Sequence, residues 1–391
     1  MKYIILTIFL SSVAFTGIAQ NSIEEVLTHI AANNKEIKAN EQLVRSRKLE
    51  ATVGNTLSDP TVNYEHLWGR PASLGTNREL VVSQEFDFPT VYANRHKLAQ
   101  SKSALYDRQE QEDRQNILLE AKLVCIDIIG LNKLLEYQET RLQHTRRLSE
   151  IYKQRVNSGD ANILESNKID MAMLGIVSEV RKTRSQLDIR KKELQRLNGG
   201  LPITLNQKEY TPVVLPADFV QWKTEALAAD ASLAALQKES DITRKEIKLN
   251  RSEWFPKFEL GYKREAGGEL FNGIVVGVSI PLYENRNKIK LAKAQSLYTE
   301  MQLDNARLSN ETALQTLYEE AVSTEKSKQE YETFLRSQNT IELLEKALEN
   351  GHISISEFFA DADLVYRTME DYIQLENEYQ KLAAQLYKYR L

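Results

Sequence analysis

The sequence feature that most constrains the fold is a run from Asn94 to Gly159 with no proline and one interior glycine, Gly130. Because proline and glycine are the residues that most disfavour a helix interior, this run predicts one unusually long helix. At about 1.5 Å of rise per residue such a helix spans on the order of 100 Å, several times the roughly 30 Å of a small domain. An ordinary core helix of a compact domain is therefore excluded.

The first residues have the layout of a secretory signal peptide. Met1 and Lys2 precede an apolar run over 3–10, and a small-x-small pattern ends at Ala19. The apolar run is too short for a transmembrane anchor. No cysteine stands directly after the predicted cleavage site at Ala19, so a lipoprotein anchor is not indicated. We expect residues 1–19 to be a signal peptide, and the mature protein to be exported.

Charge and motif content exclude several classes of function. The 51 basic and 55 acidic residues alternate finely, with a formal net charge of -4, and no basic block indicates nucleic-acid binding. The sequence contains no glycine-rich phosphate loop, no Gly-x-Ser-x-Gly and no zinc-ligand spacing. The lone cysteine, Cys125, is expected to be packed apolar filler. We expect no enzymatic activity, no cofactor and no metal site.

The first half of the chain reads as one repeat over residues 20–200. A capping box at Ser22–Glu25 opens a helix that runs to about Thr56, and alternating apolar residues then predict a β-hairpin over 61–88. The long helix follows over 91–158, and a returning helix occupies 162–198. A proline-rich connector over 201–217 closes this half.

The same order of elements returns in a second repeat over residues 218–391. It predicts a helix over about 218–252, a β-hairpin over 257–280, a long helix over 285–350 and a returning helix over 356–389. Pro60 and Pro256 are 196 residues apart, and Gly159 and Gly351 are 192 apart. These matched spacings indicate an internal duplication.

Four strands cannot close a barrel, and an open sheet with an apolar face over 274–280 is costly in water. Three copies would supply twelve strands, an even number that suits an outer-membrane barrel of alternating segments. The expected fold is therefore mostly α with a small β part. Long antiparallel helical hairpins form an α-barrel tunnel, and each chain adds four strands to a trimeric 12-stranded outer-membrane β-barrel.

At this point the chain resembles the TolC-like outer-membrane efflux channel family. The matching pieces are Asp59–Val62, the segment Ser83–Pro89 leading into Asn94, the Arg155-x-x-x-Gly159 turn, and their second-half equivalents. The Ser-Gln-Glu-Phe stretch is most similar to the branch of CzcC-like heavy-metal efflux components. The resemblance rests on the order of these motifs and on their repetition in the second half.

The resemblance implies the outer-membrane channel of a tripartite efflux system, which passively conducts drugs or metal ions. It implies a homotrimer in contact with outer-membrane lipid, a periplasmic adaptor protein and an inner-membrane pump of the resistance-nodulation-division type. Localisation would be the outer membrane with a periplasmic tunnel. In that family the helix turns touch the adaptor, and the residues carried over are Arg155, Val156, Gly159, Asp160, Leu164, Leu348, Gly351 and Ile355.

Members of that family also narrow the periplasmic entrance with acidic residues. The candidates here are Glu165, Glu357 and Asp361, although the second expected acid falls on Ala360. A threefold ring of carboxylates favours cations. The same acids equally fit solvated helix-start positions that the helix dipole favours. Both interpretations of these acids stay open at this point.

One alternative of another class is a secreted or periplasmic coiled-coil scaffold that binds partners through its helices. It accounts for the long helices and the alternating charges. It leaves the four alternating strands and the placement of the prolines without a reason.

Overall fold

The computed structural model describes residues 22–337 and 339–391. The predicted signal peptide lies outside the described residues. Within them the chain is mostly helical with one antiparallel sheet, as predicted. In chain order the elements are α1 (Ile23–Asn33), α2 (Lys35–Thr52), β1 (Thr61–Trp68), β2 (Thr76–Phe86), α3 (Pro89–Ser158), α4 (Ile163–Leu197), α5 (Phe219–Ala229), α6 (Ala231–Ser252), β3 (Lys257–Ala266), β4 (Leu270–Ser279), α7 (Lys288–Ser337), α8 (Thr340–Glu349) and α9 (Ile355–Leu386).

The long first helix is α3, which runs for 70 residues without a break. Its length agrees with the absence of proline and glycine from most of the run. Within the described part of the chain, no helix has both the length and the apolar character needed to cross a membrane.

The helices predicted over 22–56 and 218–252 are each split in two, so the prediction of single helices was wrong. Asn34 separates α1 from α2, and its side chain accepts the N–H groups of Glu36 and Ile37 at 2.8 and 3.0 Å. Asp230 separates α5 from α6 in the same way, and its side chain accepts the N–H group of Leu233. Asn and Asp side chains compete for backbone donors and so begin new helices. The two breaks are 196 residues apart, the spacing of Pro60 and Pro256.

The predicted uninterrupted helix over 285–350 was also wrong. Helix α7 ends at Ser337 and α8 begins at Thr340. Asn339, just before α8, has φ -107° and ψ 46°, outside the helical region. The side-chain amide of Asn339 donates to Glu342 at 2.5 Å. The chain therefore leaves the helical conformation at Asn339, which is neither a glycine nor a proline.

The four strands form one antiparallel sheet in the order β1-β2-β3-β4. Val62 is opposite Val82, Val82 is opposite Tyr262, and Tyr262 is opposite Ile274. Because successive side chains alternate between faces, this register puts even-numbered residues of all four strands on one face. The predicted apolar side of the strands is confirmed, since Ile274 is 79% and Val276 73% exposed in the single chain.

The opposite face of the sheet is polar. Lys263 bonds to the carboxylates of Glu79 at 2.8 Å and Glu265 at 3.6 Å. Lys257 lies 3.7 Å from Glu85. The sheet therefore has one apolar and one charged face.

The described residues divide into two compact units. The first unit contains 22–33, 121–212 and 328–380, and the second contains 34–120, 213–327 and 381–391. In the first unit, Cys125 is fully buried among apolar residues of α3, as predicted, and burial raises the pKa of its thiol to about 12. In the second unit, Trp222 packs with Leu382 and Leu386.

Candidate functional site: the two helix turns

The first turn joins α3 to α4 through a glycine that adopts a left-handed conformation. Gly159 has φ +86°, and the N–H of Asp160 bonds to the carbonyl of Arg155 at 2.8 Å. The N–H of Gly159 bonds to Val156 at 3.2 Å. This pair of bonds is a Schellman motif, which satisfies the last carbonyls of α3. Glycine is favoured here because a Cβ atom is strained at positive φ.

The second turn, between α8 and α9, repeats this geometry. Gly351 has φ +73° and its N–H bonds to Leu348 at 3.1 Å. The N–H of His352 bonds to the carbonyl of Ala347 at 2.8 Å. The two turns therefore share one backbone design at positions 192 residues apart.

The structure brings the two turns together within the first unit. The ammonium of Lys168 on α4 donates to the hydroxyl of Ser356 on α9 at 2.6 Å. Residues from both hairpins also share one buried cluster, namely Tyr152, Ile169, Leu348, Ile355, Phe358 and Ala362. The turns are therefore held as one surface by a common core.

Two of the predicted contact residues belong to that core and correct the expectation for them. Leu348 is 6% and Ile355 2% exposed, so neither presents a side chain to a partner. Both side chains pack in the buried cluster below the second turn. By contrast Leu164 is 62% exposed, and Gly159, Asp160 and Gly351 are exposed as well.

Arg155, predicted as an adaptor contact, also packs within the turn. The structure places its guanidinium over the ring of Tyr152, 5.5 Å from the ring centroid. Val156 beside it is half-buried. Arg155 thus contributes a cation–π contact that covers the edge of the shared core.

Glu165 and Glu357, predicted as entrance acids, both take part in capping boxes. The backbone N–H of Asn162 donates to Glu165 at 3.4 Å, and that of Ser354 donates to Glu357 at 2.7 Å. The Ser354 backbone bond, assisted by its hydroxyl, holds the pKa of Glu357 below its usual value. These contacts favour the helix-start interpretation for both acids. Asp361 is exposed, one turn further along α9.

A network of charged residues around Arg141 was not found from the sequence. Arg141 bonds to Glu179 at 3.2 Å and to Asp363 at 3.5 Å, and it lies 3.9 Å from Glu370. Its guanidinium also stacks 4.5 Å from the centroid of Tyr366. These residues come from three helices that are far apart in sequence, so no local pattern predicts that they meet.

The described residues hold no group of His, Cys, Asp and Glu side chains arranged to bind a metal ion. The turns expose glycines and a few charged groups. A glycine leaves the backbone accessible to close contact with another chain.

Comparison with protein families gives one match, over residues 222–389, to the family model described as outer membrane efflux protein. This region covers the second of the two predicted repeats. The resemblance to the TolC-like outer-membrane efflux family is confirmed. No protein with a curated description matches the sequence.

Three solved structures share the fold of this chain. CusC, described as forming a transmembrane channel, has a TM-score of 0.81 at 14% identity, covering 95% of this chain and 92% of its own. The outer membrane protein VceC from Vibrio cholerae has a TM-score of 0.73 at 13% identity, covering 94% and 95%. The open state of the Neisseria gonorrhoeae MtrE outer membrane channel has a TM-score of 0.75 at 13% identity, covering 94% and 88%.

Proposed function

We propose that this protein is the outer-membrane channel of a tripartite efflux system. It passively conducts drugs or metal ions from a periplasmic adaptor and an inner-membrane pump, of the resistance-nodulation-division type, to the exterior. The observation that carries the proposal is the four-stranded sheet with one exposed apolar face and one charged face. The likeness to CusC, VceC and MtrE supports it at the level of fold.

The apolar face of the sheet fits contact with lipid. Val62, Leu260 and Val276 are 62%, 56% and 73% exposed in the single chain, which is a large apolar area to leave in water. Trp68 lies at one end of the strands and Trp254 precedes β3 at the other. Aromatic residues at both ends match the girdles at the two surfaces of a membrane.

The edges of the sheet fit closure by other copies. Within the described residues β1 and β4 each pair on one side only, so each presents a row of backbone donors and acceptors. Three copies joined β1 to β4 give twelve strands with no free edge. We propose this homotrimer, with the charged face lining the lumen and the helical hairpins forming the tunnel.

The two turns are the proposed contact with the adaptor. We assign it to the exposed residues Gly159, Asp160, Leu164 and Gly351, with Arg155 and Val156 beside them. Glycine leaves the backbone open to a close approach by another helix turn. We assign Asp361, which is exposed and outside the capping boxes, to the acidic ring of the entrance.

The alternative of a periplasmic coiled-coil scaffold does not account for the sheet. A scaffold that stays in the periplasm would expose Ile274, Val276 and Val278 to water, at 79%, 73% and 58% of their surface. Contact of that face with lipid removes this apolar surface from water, which is favourable.

A pair of neighbouring substitutions tests the proposal. Val276→Arg puts a charge on the apolar face, and Val275→Arg puts the same charge on the opposite face of the same strand. Arginine facing the middle of a membrane costs about 2 to 4 kcal/mol. We expect V276R to lower the amount of protein in the outer membrane and V275R to leave it intact. Equal recovery of V276R and V275R from that membrane would overturn the proposal.

A further inference from the structure

The first unit contains a cavity of about 670 Å³, partly open to solvent, that is lined by residues of α3, α4, α8 and α9. Sites that bind drug-sized molecules usually have volumes of about 300 to 1,000 Å³. Four aromatic rings contribute to its wall, those of Tyr152, Phe358, Phe359 and Tyr366. The cavity therefore has the size and the apolar surface to hold an aromatic molecule of one to three rings.

Most of the charged groups that line the cavity are already paired. Arg141 bonds to Glu179 and Asp363. His144 Nδ1 lies 3.4 Å from the Glu345 carboxylate. Groups satisfied in this way offer little to a ligand, because binding would first have to break an existing contact.

Two lining residues of opposite charge remain. Arg147 and Glu349 both line the cavity, both are exposed, and neither forms an ion pair with the described residues. Arg155, which also lines the cavity, lies over the ring of Tyr152. The cavity thus presents the cation Arg147 and the anion Glu349 next to an aromatic wall, within the part of the chain that the structure describes.

We propose that this cavity binds an aromatic zwitterion. Its ring system packs against Tyr152, Phe359 and Tyr366, its carboxylate pairs with Arg147, and its ammonium pairs with Glu349. A ligand with only one charge would satisfy one of the two groups and leave the other unpaired. The walls come from the hairpin α3–α4 and the hairpin α8–α9, so the ligand would bridge the two hairpins.

Binding can be measured on the purified full-length protein in detergent by fluorescence anisotropy with ciprofloxacin, an aromatic zwitterion. Its methyl ester retains only the positive charge, and its N-acetyl derivative retains only the negative one. We expect each derivative to bind at least about tenfold more weakly than the zwitterion, which corresponds to about 1.4 kcal/mol. Equal affinity of the three compounds would overturn the assignment of the two charges.

Substitutions locate the bound molecule. Gly175 lines the cavity on α4, and a Cβ atom there meets nothing within 4 Å, so Gly175→Phe can enter the space without disturbing the helix. Ser185→Phe, exposed on the same helix, is the matched control. We expect G175F to abolish binding and S185F to leave it unchanged. Unchanged binding to G175F would show that ciprofloxacin lies elsewhere and would overturn the proposal.

The charge assignment has its own control. Glu349→Gln should reduce the affinity for ciprofloxacin to that of the N-acetyl derivative and leave the affinity for that derivative unchanged. A loss of equal size for both compounds would contradict a pairing of Glu349 with the ammonium. These measurements need no channel activity, so they succeed or fail independently of the proposed efflux function.

Discussion

The side-chain amide nitrogen of Asn377 lies 2.6 Å from the point where a Cβ atom on Gly130 would be placed. The same amide donates to the carbonyl of Ile126 and to the hydroxyl of Tyr210, both at 3.0 Å. Gly130 interrupts only the first of the two long helices, and this contact gives the reason. The helix needs a residue without a side chain where the connector and α9 approach it.

Replacement of Gly130 with alanine should destabilise the first unit by about 1 to 3 kcal/mol, because the new methyl group overlaps Asn377 and Tyr210. Gly175→Ala is the matched control, since Gly175 is helical and has open space around it. There we expect a gain of about 0.5 to 1 kcal/mol from helix propensity. Scanning calorimetry of both variants should show shifts of opposite sign. A G130A protein as stable as the native one would contradict this account of Gly130.

The turn glycines should be required for efflux. Replacing both Gly159 and Gly351 with tryptophan adds two bulky side chains where the proposed adaptor approaches. We expect drug or metal resistance to be lost, while the protein remains in the outer membrane.

Gly200→Trp is the control for the turn variants, because Gly200 also has a positive φ, +89°, and ends a helix away from the turns. It carries the conformational strain without the steric effect at the turns. If resistance is unchanged after the double substitution, the assignment of the turns to the adaptor contact is wrong.

The acids at the second turn should separate into two roles. Asp361→Asn should reduce the cation preference measured as a reversal potential in planar bilayers, because a threefold charge is removed from the entrance. Glu357→Gln should mainly weaken the start of α9, since the Glu357 carboxylate accepts the Ser354 N–H. The pKa of Glu357 is lowered in the fold, so its stabilising contribution is present at neutral pH and is lost as the pH falls through that value. A larger change of selectivity in E357Q than in D361N would reverse the two roles.

Glu370 should make the first unit less stable as the pH rises. Burial raises the pKa of Glu370, although the amide of Gln138 and Arg141 lower it in part. The folded state therefore binds this proton more tightly than the unfolded state does. The resulting stabilisation is present below the unfolded pKa, about 4.3, and is lost as the pH rises through the folded value.

Glu370→Gln removes this titration. The melting temperature of the native protein, minus that of E370Q, should fall as the pH rises above about 4. Glu378→Gln, on the exposed side of the same helix, should follow the native pH profile. A difference between native protein and E370Q that is constant with pH would refute the effect of burial.

Much of the fold followed from local sequence rules. The length of α3, the strand alternation and the turn glycines are set by proline, glycine and period-two patterns, which act within a few residues. The breaks at Asn34, Asp230 and Asn339 were missed because these residues are also common on solvated helix faces. Only the structure shows that Asn34 and Asp230 cap a helix and that the backbone leaves the helical region at Asn339.

The candidate site was less accessible to prediction. The burial of Leu348 and Ile355 depends on Tyr152 and Ile169 of the other hairpin, which the sequence alone does not place beside them. The Arg141 network and the contact of Asn377 with Gly130 have the same origin. Interactions between distant segments are set by tertiary packing, so residue spacing within a segment does not predict them.

The most direct test of the account is a cross-link between the two edges of the sheet in different copies. Asn63→Cys on β1 and Gly273→Cys on β4 lie on the same face, and a flexible bismaleimide can join them in native membranes. Cys125 is buried with a raised thiol pKa, so its background reaction should be low.

We predict covalent dimers and trimers, and nothing larger, only when both cysteines are in the chain. Each single-cysteine variant should remain monomeric on a denaturing gel. Absence of cross-linking in the double variant, or a ladder that continues beyond three copies, would contradict a closed barrel of three chains.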